Sequence, residues 1–275
     1  DDAAQLEIPA GEQLLTSTDL LIESSHFNFS WTSPFDLGHK AIAVNLSDIA
    51  AMGGTPRFLY LGLACPGSTE VSMIEDFMAG ALSQAEAHGV SLVGGDTCRS
   101  PGPWVVSVTV EGSASSGRAI GRDGARPGDV VVVSGTLGDS ALALAQLSRG
   151  EAPAEFLARR HHRPEARVEL GRSLAASGCV SAMIDLSDGL SADLGHILDA
   201  SRVGACLDLA RLPLSEAFTA AWRDDAGLLE FALSGGEDYE LLFTLAEQDL
   251  HLILELGQTL GLPLTPIGVI RDGEP

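Results

Sequence analysis

A segment rich in Gly, Ser and Arg, from about Gly112 to Gly128, divides the sequence into two halves of comparable size. In both halves, short apolar runs with the alternation typical of strands are interspersed with runs whose apolar side chains recur at helical spacing. We therefore predict two domains, residues 1–115 and 116–275, of mixed α and β structure. The length of 275 residues is consistent with one or two domains.

The periodicity and the Gly and Pro positions predict the individual elements. In the first half we expect strands at 13–18, 57–64, 90–93 and 104–111, and helices at 39–52 and 70–88. In the second half we expect strands at 129–134, 180–184, 204–209, 240–245 and 264–270, and helices at 139–149, 164–177, 189–201, 214–223 and 247–260.

The net charge is −22, from 16 basic and 38 acidic residues. This balance argues against a nucleic-acid or anionic-membrane surface, because phosphate groups are neutralised by patches of Lys and Arg. No signal peptide and no long uncharged apolar segment is apparent. The acidity either serves solubility or suits a partner that carries cations, such as Mg²⁺-bound phosphate.

Lys40 is the only lysine in the chain. It lies between His39 and Ala41, so neither the phosphate-binding G-x-x-x-x-G-K-[ST] loop nor the protein-kinase pattern is present. The four cysteines are widely spaced without a C-x-x-C pair, and we expect reduced thiols in a cytoplasmic protein. Because the sequence starts at Asp1 without Met, we also expect an N-terminal segment before it.

Several short segments place an aspartate beside Ser, Thr or Gly at the end of an apolar run. They are "DD" (1–2), "TSTD" (16–19), "NLSD" (45–48), "GGD" (94–96), "DLSDG" (185–189) and "GGED" (235–238). Mg²⁺ prefers such hard oxygen ligands, and several converging carboxylates could hold more than one ion around a polyphosphate.

Each of these segments taken alone is also typical of an ordinary helix cap or turn. Asp188 could cap the helix 189–201, and Asp139 could cap the helix 139–149. Asp48 is different, because it lies inside a predicted helix, where aspartate is unfavourable.

Three other features are compatible with phosphate binding, each with a simpler alternative. The "SGTLGDS" segment (134–140) could offer backbone N–H groups, but a tight strand-to-helix turn is favoured. The basic stretch 159–163 could contact phosphate, but a solvated helix face is favoured. Arg118 and Arg122 lie between the two halves, where a phosphate contact and a surface role are equally compatible with the sequence.

Together the motifs are more specific than any one of them. "STDLLIESSHF", "KAIAVNLSDIAAMG", "VGGDTCR", "SGTLGDSALAL", "IDLSDGLSADLGHI" and "LSGGEDYELLF" occur in this order. The set closely resembles the thiamine-monophosphate kinases, within the superfamily of aminoimidazole-ribonucleotide synthetase-like ATP-binding enzymes, from Asp1 to about Val269.

The resemblance implies an α+β fold of two α/β halves. The N-terminal half would carry a sheet that forms a homodimer, and the C-terminal half would be an α/β domain. The implied reaction is direct transfer of the γ-phosphoryl group of ATP to thiamine monophosphate, giving thiamine diphosphate. ATP and several Mg²⁺ ions would bind in a cleft, without a covalent intermediate or a general base.

The resemblance also implies roles for individual residues. The metal-binding set would be Asp2, Ser17, Thr18, Asp19, Asp48, Asp96, Asp185 and Asp188. The ATP-binding set would be Gly95, Asp96, Arg122 and Ser187. The substrate would contact His26 and Glu237, while Asp238 would hold the turn and Glu240 would begin the next strand. An aromatic residue that packs on the substrate in the family would lie beyond Pro275.

Two alternatives remain open from the sequence. One is another ATP-dependent enzyme of the same superfamily, which activates an amide, a formyl group or selenide. The absence of any cysteine before Cys65 argues against selenide chemistry. The other is a protein that binds a nucleotide or thiamine phosphate without catalysis.

Overall fold

In the computed structural model, which describes residues 3–221, 227 and 229–273, the first half forms a four-stranded sheet with two helices. The strands are Glu12–Ile22 (β1), Thr55–Pro66 (β2), Ser91–Ser100 (β3) and Val105–Ser115 (β4). Their order is β1-β4-β2-β3, with β4 antiparallel to both of its neighbours and β2 parallel to β3. The helices are Pro34–Ala51 (α1) and Val71–Ala87 (α2).

Helix α1 is the central element of this half. It begins after Ser33, whose side chain accepts a hydrogen bond from the backbone N–H of Asp36, and Pro34 suits its first turn. Most of its side chains are buried, because the helix packs against the sheet, against α2 and against the second half. A mid-helix polar residue on α1 is therefore held inside the protein rather than in solvent.

Two glycines allow α1 and α2 to cross closely. A Cβ atom at Gly38 would lie 1.9 Å from the carbonyl oxygen of Phe77, and one at Gly80 would lie 1.9 Å from that of Phe35. No side chain fits either position, so the approach of the two backbones depends on glycine.

The second half contains a five-stranded antiparallel sheet of order β6-β8-β5-β9-β7. Its strands are Asp129–Ser134 (β5), Val180–Asp185 (β6), Gly204–Leu207 (β7), Leu241–Ala246 (β8) and Leu264–Arg271 (β9). Its helices are Asp139–Ser148 (α3), Glu155–His162 (α4), Val168–Ser177 (α5), Leu190–Ser201 (α6), Glu216–Ala221 (α7), Leu229–Ser234 (α8) and Leu250–Leu260 (α9).

The two halves share one hydrophobic core. Ile42 and Leu46 of α1 belong to the same buried cluster as Leu174 of α5 and Phe243 of β8. At the crossing of α1 and α5, a Cβ atom at Gly171 would lie 2.1 Å from the carbonyl oxygen of Ala50. Residues at the ends of α1 and of the second sheet are consequently held in a fixed relation to each other.

The predicted fold class is confirmed, but several local predictions are wrong, among them the helix expected at 39–52, which begins at Pro34. The "GGD" motif does not end a strand at residue 93, because β3 continues through it to Ser100 as an edge strand that only β2 pairs. The helix expected at 164–177 begins at Val168. Helices α4 and α8 were not predicted, and residues 222–223 of the expected helix 214–223 lie outside the described residues.

The four cysteines are all free, in agreement with the expected thiols. None of the helices in the described part of the chain combines the length and the apolar character that a bilayer crossing requires.

Candidate active site

Two side-chain hydrogen bonds bring three segments of the chain together. The Ser47 hydroxyl, on α1, donates to Asp185 at the end of β6 over 2.7 Å. The Ser17 hydroxyl, on β1, donates to Asp48 over 2.5 Å. Ser47 and Asp185 are almost fully buried. The C-terminal part of α1 therefore carries polar residues because Asp48 contacts β1 and Ser47 contacts β6.

The carboxylates gathered here are in an unfavourable environment for negative charge. Burial, followed by the charge of Asp48, raises the pKa of Asp19 to about 6. Burial and again the charge of Asp48 raise the pKa of Asp185 to about 7, although the Ser47 hydrogen bond acts in the opposite direction. Burial also raises the pKa of Asp48 itself, against the effects of Ser17 and of the Arg122 guanidinium. A bound cation would stabilise the ionised form of all three carboxylates and lower their pKa values.

A cavity of about 220 Å³ opens beside these groups, and Ser17, Asp48, Arg122 and Asp185 all line it. Four of the residues expected to bind metal or ATP, each from a different part of the sequence, therefore line one cavity. Among residues 3–221, 227 and 229–273, however, no three His, Cys, Asp or Glu side chains are arranged to hold a metal ion by themselves. Asp2 lies outside the described residues.

The "DLSDG" segment that follows β6 is held by a residue that the motif reading missed. One carboxylate oxygen of Asp193 accepts hydrogen bonds from the backbone N–H groups of Ser187, Asp188 and Gly189, at 3.0, 3.0 and 3.1 Å. The N-cap residue of α6 is Gly189 and no side chain caps the helix, so the capping role considered for Asp188 is excluded. The signal available in the sequence was an acid in the first turn of the predicted helix.

The "GGEDYE" segment is a strained turn that is bound to the "DLSDG" segment. Glu237 and Tyr239 have φ angles of 68° and 51°, in the left-handed region that side chains seldom adopt. Their backbone N–H groups donate to the carbonyl oxygens of Ser187 and Leu186, both over 2.8 Å. A Cβ atom at Gly236 would lie 2.4 Å from the Ser187 oxygen, so the close approach requires glycine.

Asp238 ties this turn to the loop before α3. Its carboxylate accepts a 2.7 Å hydrogen bond from the backbone N–H of Gly138. Burial raises the pKa of Asp238 to about 7. The backbone N–H groups of Gly135 and Leu137 donate to the carbonyl oxygens of Pro263 and Pro213, so neither is free to bind phosphate. Glu240 is fully buried, just before the first residue of β8, and is paired with Arg160 and Arg167.

The expectation that the basic stretch 159–163 is a solvated helix face holds only for its exposed residues Arg159 and Arg163. Arg160 and His161 are buried, and one Arg160 nitrogen donates to the carbonyl oxygen of Asp238 over 2.9 Å. Burial lowers the pKa of His161 to about 2, with further contributions from the charges of Lys40 and His162, so its imidazole is neutral. Sequence periodicity missed this because the helix is only eight residues long.

A larger cavity, of about 530 Å³, contains both residues expected to contact the substrate, His26 and Glu237. Ser187 and Asp188 line the same cavity, together with Trp31. The "DLSDG" segment lies between the two cavities. Its Asp185 lines the smaller cavity and its Ser187 lines the larger one.

Thr18, Gly95 and Asp96 lie elsewhere. Thr18 alternates with Ser17 and Asp19 along β1, so its side chain lies on the opposite face, where its hydroxyl donates to the carbonyl oxygen of Val108 over 3.0 Å. Gly95 and Asp96 are exposed on β3, the other edge of the sheet. Within one protomer, they are three strand spacings from β1, or about 14 Å.

Like Asp193, Lys40 has a structural role that the sequence analysis did not predict. There, its surroundings were used only to exclude nucleotide-binding motifs. Its ammonium lies 2.9 Å from a carboxylate oxygen of Glu237, and its side chain is 3% exposed. A lone lysine in a buried helix was a signal in the sequence, because a buried ammonium requires a partner.

Comparisons with known proteins show which proteins this chain resembles. Residues 1–114 match the family described as AIR synthase related protein, N-terminal domain, and residues 126–274 match the corresponding C-terminal domain. The chain is 43% identical to thiamine-monophosphate kinase of Escherichia coli K12, over all of this chain and 87% of that protein.

Two solved structures are similar over nearly the whole chain. The thiamine-monophosphate kinase of Stenotrophomonas maltophilia K279a has a TM-score of 0.93 and 43% identity, covering 100% of this chain and 87% of the other. AaThiL, solved in complex with AMPPCP and TMP, has a TM-score of 0.87 and 36% identity, covering 98% and 84%.

Proposed function

The chain belongs to the thiamine-monophosphate kinases, a branch of the AIR synthase related family, and we propose that the two cavities beside "DLSDG" form its active site. The enzyme transfers a phosphoryl group from ATP to thiamine monophosphate. The alternatives of amide, formyl or selenide activation have no comparable support.

One observation carries the placement of the reaction. The larger cavity contains His26 and Glu237, assigned to the substrate, and also Ser187 and Asp188, assigned to the nucleotide and its metal. Acceptor and donor therefore meet within a single space of about 530 Å³. The hydrogen bonds that join "GGEDYE" to "DLSDG" keep the two sets of residues in register.

The attacking group is an oxygen of the substrate phosphate, which is already ionised near neutral pH. The protein therefore needs no strong general base, and its task is to align the two phosphate groups and to offset their repulsion. Arg122, beside Asp48 in the smaller cavity, is placed to contact a nucleotide phosphate. Asp193 fixes the backbone of the segment between the two cavities.

The donor set fits Mg²⁺, which takes hard oxygen ligands and commonly only one or two carboxylates per ion, with water and phosphate completing its shell. Asp19 and Asp185, whose charges are disfavoured by burial and by Asp48, would hold it together with Asp48, Asp188 and Asp2. When bound, the metal would neutralise charge on the phosphates.

We propose that the working enzyme is a homodimer built on the four-stranded sheet. On β1, Leu15 and Leu21 pack in the core, whereas Leu14 and Leu20, on the other face, are 49% and 55% exposed. In the described part of the chain, no further strand pairs with β1 or β3 at the edges of the sheet, and free edges favour pairing with another chain. A second copy could pair its β3 with β1 of the first copy and its β1 with β3 of the first copy. Both edges of each sheet would then be paired, and the exposed face of each sheet would be covered by the other.

This pairing gives a role to Asp96. In one protomer it lies at the edge opposite Asp19, but the partner's β3 would bring a second Asp96 beside β1. Gly95, where a Cβ atom would lie 2.0 Å from the carbonyl oxygen of Leu61, shapes the same edge. The site would then be complete only in the dimer. We propose a cytoplasmic location on the free state of the four cysteines.

The direct test is conversion of thiamine monophosphate by the purified protein with ATP and Mg²⁺, with thiamine diphosphate measured by fluorescence after oxidation. We expect one ATP to be consumed for each thiamine diphosphate formed. ATP hydrolysis without thiamine diphosphate, or no reaction in a folded preparation, would contradict the proposed site.

A further inference from the structure

The buried ion pair between Lys40 and Glu237 connects helix α1 to the wall of the substrate cavity. The Lys40 ammonium lies 2.9 Å from one carboxylate oxygen of Glu237; the two side chains are 3% and 24% exposed. Lys40 has therefore lost its water almost entirely, while Glu237 keeps a surface that faces the cavity. An ammonium buried to this degree is strongly unfavourable unless it is paired, so the contact fixes both partners.

Glu237 is also held by its backbone and by its second oxygen. Its left-handed backbone, with φ of 68°, is anchored by the N–H bond to the Ser187 carbonyl. The second carboxylate oxygen lies 3.4 Å from Nδ1 of His161, and the Ser140 hydroxyl lies 3.0 Å from the same nitrogen. Because that imidazole is neutral, Lys40 is the charged neighbour that directs the carboxylate.

The pairing changes what the carboxylate can recognise. An adjacent ammonium and carboxylate sum to zero charge, so Glu237 attracts a cation such as the thiazolium ring only weakly across the cavity. Its free lone pairs still accept a hydrogen bond, and an ionised acceptor makes a strong one. In thiamine monophosphate the amino group on the pyrimidine ring is the N–H donor.

We propose that Lys40 is a positioning residue, which holds Glu237 as the hydrogen-bond acceptor for the pyrimidine amino group of the substrate. The inference rests on the proposed function. It assigns a role in substrate specificity to Lys40, which does not itself line the cavity. It also states which part of the substrate lies against the "GGEDYE" turn.

The test compares thiamine monophosphate with oxythiamine monophosphate, in which an oxo group replaces that amino group. The wild-type enzyme should prefer the amino substrate in kcat/KM. In Lys40→Met we expect this preference to fall by about tenfold or more, since a charge-assisted hydrogen bond is lost, while the KM for ATP changes less than about twofold. A purely structural role would affect both substrates equally.

Two further variants separate folding from positioning. Lys40→Met with Glu237→Gln leaves no unpaired buried charge, so it keeps the test valid if the single variant fails to fold. Because all of these changes remove one interaction, the single and double variants should lose the same preference rather than additive amounts. Arg57→Met, which breaks the half-buried pair with Glu12 on the four-stranded sheet, is the control and should keep the wild-type preference.

The outcomes distinguish this inference from the proposed function. A folded wild-type protein that forms no thiamine diphosphate would overturn the proposed function. An active wild type whose preference for the amino substrate persists unchanged in folded Lys40→Met would overturn the role of Lys40 alone.

Discussion

The Ser47 hydroxyl donates a 2.7 Å hydrogen bond to Asp185, a residue 138 positions further along the chain. Ser47 lies about one turn before the C-terminal end of the central helix of the first half, and Asp185 ends a strand of the second sheet. The bond therefore closes the junction between the halves. It also brings the next residue, Asp48, near enough to disfavour the charge of Asp185.

Stability should depend on pH through Asp185 when divalent cations are removed. Its pKa is raised from 3.8 to about 7, so the folded protein binds the proton more tightly, and this stabilisation is lost as the pH rises from 4 through 7. Asp185→Asn cannot ionise. In EDTA it should therefore be more stable than wild type at pH 8, by no more than about 4 kcal/mol, with little difference near pH 4.

Urea unfolding at the two pH values measures this difference. Asp199→Asn, an exposed position on α6, is the control and should change stability little at either pH. An equal effect of Asp185→Asn at pH 4 and pH 8 would show that the Asp185 charge is not the cause.

Asp48 should be required for turnover but not for folding. Asp48→Asn keeps the shape of the side chain and removes a charge that burial disfavours, so the unfolding midpoint in EDTA should stay equal or rise. The kcat should fall by about a hundredfold or more, because charge stabilisation at the reacting phosphates is lost. Asp76→Asn, exposed on α2, is the matched control. Near-normal turnover of Asp48→Asn at saturating Mg²⁺ would contradict a role of Asp48 in the reaction.

Glu237→Gln should weaken the substrate more than the nucleotide. The amide removes the charge that pairs with Lys40 and the ionised acceptor that faces the cavity. We expect the KM for thiamine monophosphate to rise by about tenfold, with a smaller rise in the KM for ATP. Steady-state kinetics with each substrate varied in turn provides the measurement, and a larger rise in the KM for ATP would contradict the assignment of Glu237 to the substrate.

The parts of the candidate site that have a local sequence signal could be predicted from the sequence. The sequence predicts Asp48 inside a helix and Glu237 on a glycine turn, because a polar residue in an apolar helix and a double glycine are local signals. The ion pair of Lys40 could not be predicted, since its partner lies 197 residues away and only the packing of the two halves brings them together.

The wrong predictions have related causes. The "GGD" motif reads locally as a turn, but pairing with β2 extends β3 through both glycines, so tertiary contacts override the weak strand preference of glycine. Arg160 reads as a surface residue, but the buried Glu240 and the carbonyl oxygen of Asp238 give it partners from a distant part of the chain. Burial of charge is decided by such partners, which composition does not show.

Asp193 should support the segment between the two cavities. Asp193→Ala leaves three backbone N–H groups without their acceptor, and we expect it to lower the free energy of unfolding by about 2 kcal/mol. Because Ser187 and Asp188 then lose their fixed positions, kcat/KM should fall as well. Asp199→Ala, exposed on the same helix, should do neither. Wild-type kinetics in a destabilised Asp193→Ala would mean that the bonds serve the fold alone.

Mixed dimers should reveal whether Asp96 acts across the subunit boundary. Asp19 and Asp96 lie on opposite edges of one sheet, so a site that needs both takes them from different protomers. Asp19→Asn and Asp96→Asn should each be nearly inactive as pure proteins. In a mixed dimer, one site combines the intact Asp19 of one protomer with the intact Asp96 of its partner, while the other site has both changes.

Random reassortment of equal amounts gives mixed dimers in half of the population, each with one intact site. Co-refolding the two variants should therefore restore about a quarter of the wild-type activity. The same mixture without unfolding is the control, and it should stay inactive until subunits exchange. If both residues act within one protomer, every site in the mixture carries a defect and no activity returns, whatever the exchange. Recovery on co-refolding alone would thus place Asp96 in the partner's site and make dimer formation a requirement for turnover.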